Sequence, residues 1–328
     1  MNKLTKLGVS ALCGSLAAVS AANAGEMSVS GGANATWTKL SYGSTGNPLG
    51  MASNLTFKGN GELDNGDTFV LSVAHTDQNA YTASQIAYTG SLGTFRLDQG
   101  GGTGLDRIDD MMPTAWEETD GTGVGAGLQT VSGAGGSTDI EWTVSSDMLP
   151  EGLTAHIAWS PKPDGTKTND KSVSGAANAA IDGAGWDIVL IHTGLADGLK
   201  AFAGYSNIPQ HPDAASGFTS DRTSYAIGAT YAVGSVTVGY QYAEKNLQSL
   251  GAAVVSRYEN DAYGISFSVN DDLSISYGVH KSDQQKTNGT SVELDGQSLQ
   301  MAYSMVGATI KIAETEGDNL KYNSATDR

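Results

Sequence analysis

Six carboxylates crowd one stretch of this chain. Between Gly100 and Thr138 the sequence reads GGGTGLDRIDDMMPTAWEETDGTGVGAGLQTVSGAGGST, which sets Asp106, Asp109, Asp110, Glu117, Glu118 and Asp120 against a single cation, Arg107. Carboxylates at this density can shape the field felt by passing ions, ligate a hard cation such as calcium, or transfer protons in catalysis. The regular spacing of a calcium loop is absent. Catalysis would need a base near a nucleophile, yet His75, His156, His192, His211 and His280 are scattered along the chain and no Gly-x-Ser-x-Gly motif occurs. No catalytic residue, metal or cofactor is expected. That leaves the field of a charged passage, or an ordinary solvated loop.

Which of the two applies depends on the elements that hold the stretch. A connection of nearly forty residues without a helical or strand period is uncommon and usually functional. It lies between two short alternating segments, Thr94–Gln99 and Asp139–Ser145. Alternation runs through the rest of the chain as well. Met27, Val29, Ala33, Ala35 and Trp37 share one parity with polar residues between them, a strand with one apolar face. After a loop at Tyr42–Gly50 come Leu55 and Phe57, the turn Leu63–Asp67, then Phe69, Leu71 and Val73, followed by Ile86 and Tyr88 and by Phe95 and Leu97. Beyond the acidic stretch the pattern resumes with Ile140, Trp142 and Val144, then Leu153, Ala155, Ile157 and Trp159. A polar loop at Pro161–Ala184 precedes Trp186, Ile188 and Leu190, and the next strand carries Leu199, Ala201, Ala203 and Tyr205, where Phe202 breaks parity.

The clearest hairpin follows a loop at Asn207–Asp221. Tyr225, Ile227, Ala229, Tyr231 and Val233 are odd-numbered, Gly234-Ser235 turns the chain, and Val236, Val238, Tyr240 and Tyr242 are even. A two-residue turn places 233 opposite 236, so the change of parity keeps both apolar sets on one face. Two further pairs, through Tyr263–Val269 and Leu273–Val279 and through Leu299–Met305 and Ala308–Ile312, bring the count to fifteen strands. Short turns alternate with longer loops rich in Gly, Ser, Asn and Asp, and Tyr and Trp recur near strand ends, as in a transmembrane β-barrel. A soluble sandwich or propeller also alternates. The opposite parity here, however, is filled by Ser, Thr, Asn, Gln and Gly, which suits a wet interior. Strands in lipid must close into a ring to pair every backbone polar group, and a closed bacterial barrel takes an even number of them. The expectation is an all-β, transmembrane antiparallel β-barrel of sixteen strands when intact, with about fifteen present and the C-terminal strand missing.

Composition agrees. Residues 1–24 have the form of a removable signal peptide, with Lys3 and Lys6, an apolar run at Leu7–Ala22 and the small-x-small site Ala22-Asn23-Ala24. Cys13 lies within it, so the mature chain 25–328 has no thiol chemistry. Without the two leader lysines, 16 basic residues face 35 acidic ones, a formal charge of −19. That sign disfavours nucleic acid, whose phosphates need Lys and Arg. After the leader no apolar run reaches the eighteen residues of a membrane-spanning helix.

Several short motifs carry a resemblance: Gly-Glu-Met-Ser-Val-Ser-Gly in the first strand, Leu-Thr-Phe-Lys-Gly before an Asp-Asn-Gly-Asp turn, and Gly-Thr-Phe-Arg-Leu-Asp-Gln-Gly entering the acidic stretch. On these the chain resembles the general diffusion porins of Gram-negative bacteria, in particular the alphaproteobacterial, Rhodobacter-like branch. The resemblance implies a sixteen-stranded barrel in the outer membrane, a homotrimer surrounded by outer-membrane lipid, in which the third external loop folds into the pore. Residues 100–138 hold that loop's position. The final strand and its terminal Phe, an assembly signal in the family, have no counterpart here. The implied function is passive, mildly cation-selective diffusion of small hydrophilic solutes and ions. A channel tuned to one substrate class and a non-conducting structural or adhesin barrel remain as alternatives. By parity Lys58, Arg96, Lys200, Arg222 and Lys311 point away from the apolar face. Arg96, with Asp98 beside it, and Lys58 are the wall residues expected to oppose Asp106, Asp109, Asp110, Glu117 and Glu118, with Arg107 and Asp120 completing the loop set.

Overall fold

A computed structural model describes residues 27–37, 49–76, 83–99, 102–122, 126–163, 181–213, 217–306 and 308–324. Residues 1–24, expected to be a signal peptide, lie outside this set, as do residues 100, 101 and 123–125 of the acidic stretch and most of the loops expected at Tyr42–Gly50 and Pro161–Ala184. The described residues form fifteen strands: β1 (Met27–Trp37), β2 (Leu49–Glu62), β3 (Thr68–Thr76), β4 (Ala83–Gly90), β5 (Gly93–Gln99), β6 (Asp139–Val144), β7 (Leu153–Ser160), β8 (Gly185–His192), β9 (Leu199–Ile208), β10 (Arg222–Val233), β11 (Val236–Asn246), β12 (Val255–Ser268), β13 (Leu273–Lys286), β14 (Ser291–Met305) and β15 (Ala308–Asp318). Each pairs antiparallel with the next in one continuous sheet from β1 to β15. The alternation predicts the strand number, and the boundaries move by a few residues. β2 begins inside the expected loop, at Leu49, and β9 continues to Ile208.

Register follows from the turns. Gly234-Ser235 closes the β10–β11 hairpin with Val233 opposite Val236, and Gly234 adopts φ +60°, the left-handed conformation such tight turns need. The pairing then carries one face across the sheet. Phe95, Trp142, Ile157, Ile188, Tyr205 and Tyr225 are successive cross-strand partners from β5 to β10. This face is turned outward: Phe95, Ile157 and Ile188 of the row are 37%, 37% and 36% exposed, and Ile227 and Val233 on the same face of β10 are 57% and 59%. Large apolar side chains standing outward along nearly every strand require lipid as their solvent. Aromatic pairs reinforce the face, with Phe95 stacked on Trp142 at 5.9 Å and Tyr240 against Tyr263 at 5.1 Å.

The opposite face has its own row. Arg96, Glu141, Ala158, Asp187, Ser206, Ser224, Lys245 and Tyr258 are successive partners from β5 to β12. These residues, which look inward, are mostly buried. What buries them is the segment between β5 and β6.

Candidate functional site

Between β5 and β6, residues 102–122 and 126–138 lie along the inward face. A 3-10 turn at Gly104–Ile108 starts the outgoing limb, and a second at Ala134–Gly136 ends the returning one. Leu105 and Ile108 are fully buried against Val189, Phe202, Ala226 and Ala243 of β8 to β11, with Val131 of the returning limb in the same cluster. Each of those two side chains removed from water contributes roughly 1.5–3 kcal/mol. The Phe202 parity break thus has a cause: its ring turns away from lipid to give the segment an apolar seat.

Beyond the seat the segment follows the wall. Pro113 lies against Gly239 of β11 and Gly264 of β12, where a β-carbon at either position would collide with its ring. Ala115 N donates to Ser276 Oγ of β13 at 2.7 Å, and Gln300 of β14 exchanges hydrogen bonds with both the N–H and the carbonyl of Glu117. Trp116 Nε1 donates to the Ile312 carbonyl of β15, and Thr122 shares a 2.8 Å hydrogen bond with Thr315. On the way back, Gln129 accepts from Asn260 of β12, and its N–H donates to the Tyr322 hydroxyl.

The acids of the segment face one another. Burial and the charges of Asp110 and Asp106 push the Asp109 carboxyl up to about 7, against a 3.1 Å hydrogen bond from Thr130 that works the other way. Burial, with Asp110 and Asp109 behind it, pushes Glu118 up to about 8. Its Oε1 is buried without a hydrogen-bond partner among the described residues. Asp110 is raised by partial burial and then by Asp106, Asp120 and Glu117. Asp106 Oδ2 accepts from Gly102 N at 2.6 Å, and Glu117 Oε1 accepts from Glu118 N at 3.0 Å. Asp110 and Glu117 are the exposed members, Asp106 and Asp120 are half-buried, and the group is a mutually repelling cluster.

The wall residues depart from expectation. Arg96 does not meet the segment's acids. Its Nη1 donates to Glu141 Oε1 at 3.3 Å and to Thr143 Oγ1 at 2.8 Å, both on β6. Arg107 also turns to Glu141 and grips it with two hydrogen bonds, Nε to Oε2 at 2.6 Å and Nη2 to Oε1 at 2.5 Å. The one cation of the segment is thus spent on a wall carboxylate, since Glu141 is fully buried and needs a partner. Asp98, also buried, accepts from Gln85 Nε2 at 3.0 Å. Lys311 lies 5.3 Å from the Trp116 ring centroid, a cation–π contact in place of an ion pair. Among the described residues Lys58, Lys200 and Arg222 make no ion pair with the segment's acids. Lys58 is exposed on β2, Lys200 is half-buried by the turn before β9, and Arg222 begins β10 with a buried Nε. Sequence reasoning missed the wall acids Glu141, Asp139 and Asp187. Their signal was available: each sits at inward parity beside Ile140, Trp142 or Ile188.

The family model for the Gram-negative porin matches residues 8–320. The chain belongs to the Gram-negative porin family. This porin has no significant match among curated protein sequences. Its fold is similar to that of OmpF of Salmonella typhi in complex with daunomycin, with a TM-score of 0.61 at 17% identity over 89% of each chain. It is similar also to OmpT, an outer membrane protein of Vibrio cholerae, with a TM-score of 0.61 at 12% identity over 94% of this chain and 93% of that one. A mutant of the Rh. blastica porin aligns with a TM-score of 0.54 at 14% identity over 90% and 96% of the two chains. The porin is an outer-membrane β-barrel, and its outward apolar rows are its lipid contact.

Proposed function

We propose that this porin is a water-filled channel for passive diffusion of small hydrophilic solutes and ions, mildly cation-selective, in which residues 102–138 form the constriction. The observation that carries the reading is the position of the acids. Asp110 and Glu117 are exposed on a segment packed along the inward faces of β8 to β15, and its only cation is bound to Glu141. Carboxylates rimming a narrow passage raise the local concentration of cations and oppose anions. Lys58, exposed on β2, is the wall cation that supplies the positive side of a transverse field, whereas Arg96 is paired with Glu141. Diffusion of this kind needs no cofactor and no catalytic group. A homotrimer is the assembly that the resemblance implies, with residues 1–24 removed on export.

Reversal potentials in a salt gradient across a planar bilayer test the reading. Asp110→Asn with Glu117→Gln should move the potential toward the unselective value, because two exposed charges leave the rim. An unchanged potential removes the assignment of these residues. Single-channel conductance separates an open pore from a plugged barrel.

A further inference from the structure

We infer that Asp187 is a positioning residue that keeps the lumen open, by fastening both ends of the constricting segment to the barrel wall. This rests on the constriction reading above and adds what holds the aperture. Asp187 is fully buried on β8, at the inward parity shared with Val189. Its Oδ2 accepts from Leu105 N on the outgoing limb at 3.0 Å and from Gly135 N on the returning limb at 3.0 Å, while Oδ1 accepts from Ala134 N at 2.8 Å. One carboxylate thus ties together two backbone stretches about thirty residues apart in sequence.

The surroundings are shaped for it. Gly104 and Gly133 flank the carboxylate from the two limbs, and a β-carbon at either would collide with it. Gly104 has φ +56°, so its backbone also favours glycine. Ala158 lies between Asp187 and Glu141 in the register, and that second acid takes the next N–H of the outgoing limb, Gly104 N to Oε2 at 2.9 Å. Thr103 Oγ1 closes the arrangement with contacts to the Gly135 carbonyl at 3.0 Å and Asp139 Oδ1 at 2.9 Å. Three backbone N–H groups thus converge on one buried carboxyl group, and a fourth on its neighbour Glu141.

Direction follows from geometry. The wall stands behind the segment, so limbs released from Asp187 can move only into the water-filled space. Losing the fastening therefore narrows the passage instead of widening it. Asp187→Asn keeps the shape but replaces one acceptor oxygen with a donor that faces N–H groups. Gly133→Ala reaches the same point from the other limb without altering the carboxylate, since Gly133 has an ordinary φ of −123° that alanine adopts freely.

Single-channel recordings on the refolded full chain should show lower mean conductance and frequent partial closures for both variants. A spin label at Glu117→Cys should become more mobile, while the variants still run as folded barrel on gels. Gly133→Ala combined with Asp187→Ala should be no worse than Asp187→Ala alone, because the collision needs the carboxylate. Parent-like conductance and label mobility in folded Asp187→Asn and Gly133→Ala channels would overturn the proposal. If those variants are silent while the rim substitutions change selectivity, the fastening is wrong and the constriction stands. If Asp187→Asn lowers conductance while the rim substitutions are silent, the fastening stands and the charge role of the rim is lost.

Discussion

Raising the pH from 6 to 9 should make this channel more cation-selective, and the size of the change can be worked from two side chains. With Asp109 titrating near 7 and Glu118 near 8, the pair carries about 0.1 of a negative charge at pH 6 and about 1.9 at pH 9. An ion passing roughly 8 Å from a carboxylate in water-like surroundings gains about 0.5 kcal/mol, which screening at 0.1 M salt cuts to about half. Two added charges therefore favour a cation by about 0.5 kcal/mol and oppose an anion equally, a roughly fivefold rise in the permeability ratio. Both groups have folded-state values above those of a solvated carboxyl. The stability they contribute to the docked segment is present below pH 4 and lost as pH rises through 7 to 8. Selectivity thus grows while docking weakens, and current noise should increase over the same interval. Reversal potentials at pH 6, 7, 8 and 9 measure the first effect. Asp109→Asn with Glu118→Gln should flatten the curve. A permeability ratio constant over this range, or a curve that survives both substitutions, refutes the reasoning.

Two further outcomes concern stability. Phe202→Ala empties the seat under Leu105 and Ile108 and should cost about 3–5 kcal/mol in denaturant unfolding of the refolded barrel. Ile227→Arg places a charge among the outward apolar rows and should cost up to about 2–4 kcal/mol if that position lies at the bilayer midplane, by the same measurement in lipid vesicles.

Alternation alone made the strands readable, because a barrel wall has one face in lipid and one in water. The parity change across Gly234-Ser235 specifies the register found at Val233 and Val236. The ends of the 100–138 segment are readable for the same reason, since alternation stops at Gln99 and resumes at Asp139. The interior of the site was less accessible. Arg107 reads in sequence as a lone cation among acids, yet its partner Glu141 is 34 residues away and is met only when the segment folds inward. Arg96 reads as a wall cation facing the segment's acids, yet the pairing of β5 with β6 sets Glu141 directly beside it. Phe202 looks like a register fault until its neighbours are known. For Arg107 and Phe202 the deciding contact is tertiary, between a strand that the pattern specifies and a segment that has no pattern.

The apolar seat has a consequence for how the molecule is made. Val189, Phe202, Ala226 and Ala243 would be wetted if the segment swung clear, leaving a greasy spot inside a conduit for water. A swing of the whole flap is therefore tied to partial unfolding of its root, whereas the rim around Asp110 and Glu117 can fluctuate without that penalty. Insertion of the β8–β11 staves and seating of the flap then belong to one cooperative event, and an empty cylinder is not a resting point on the way.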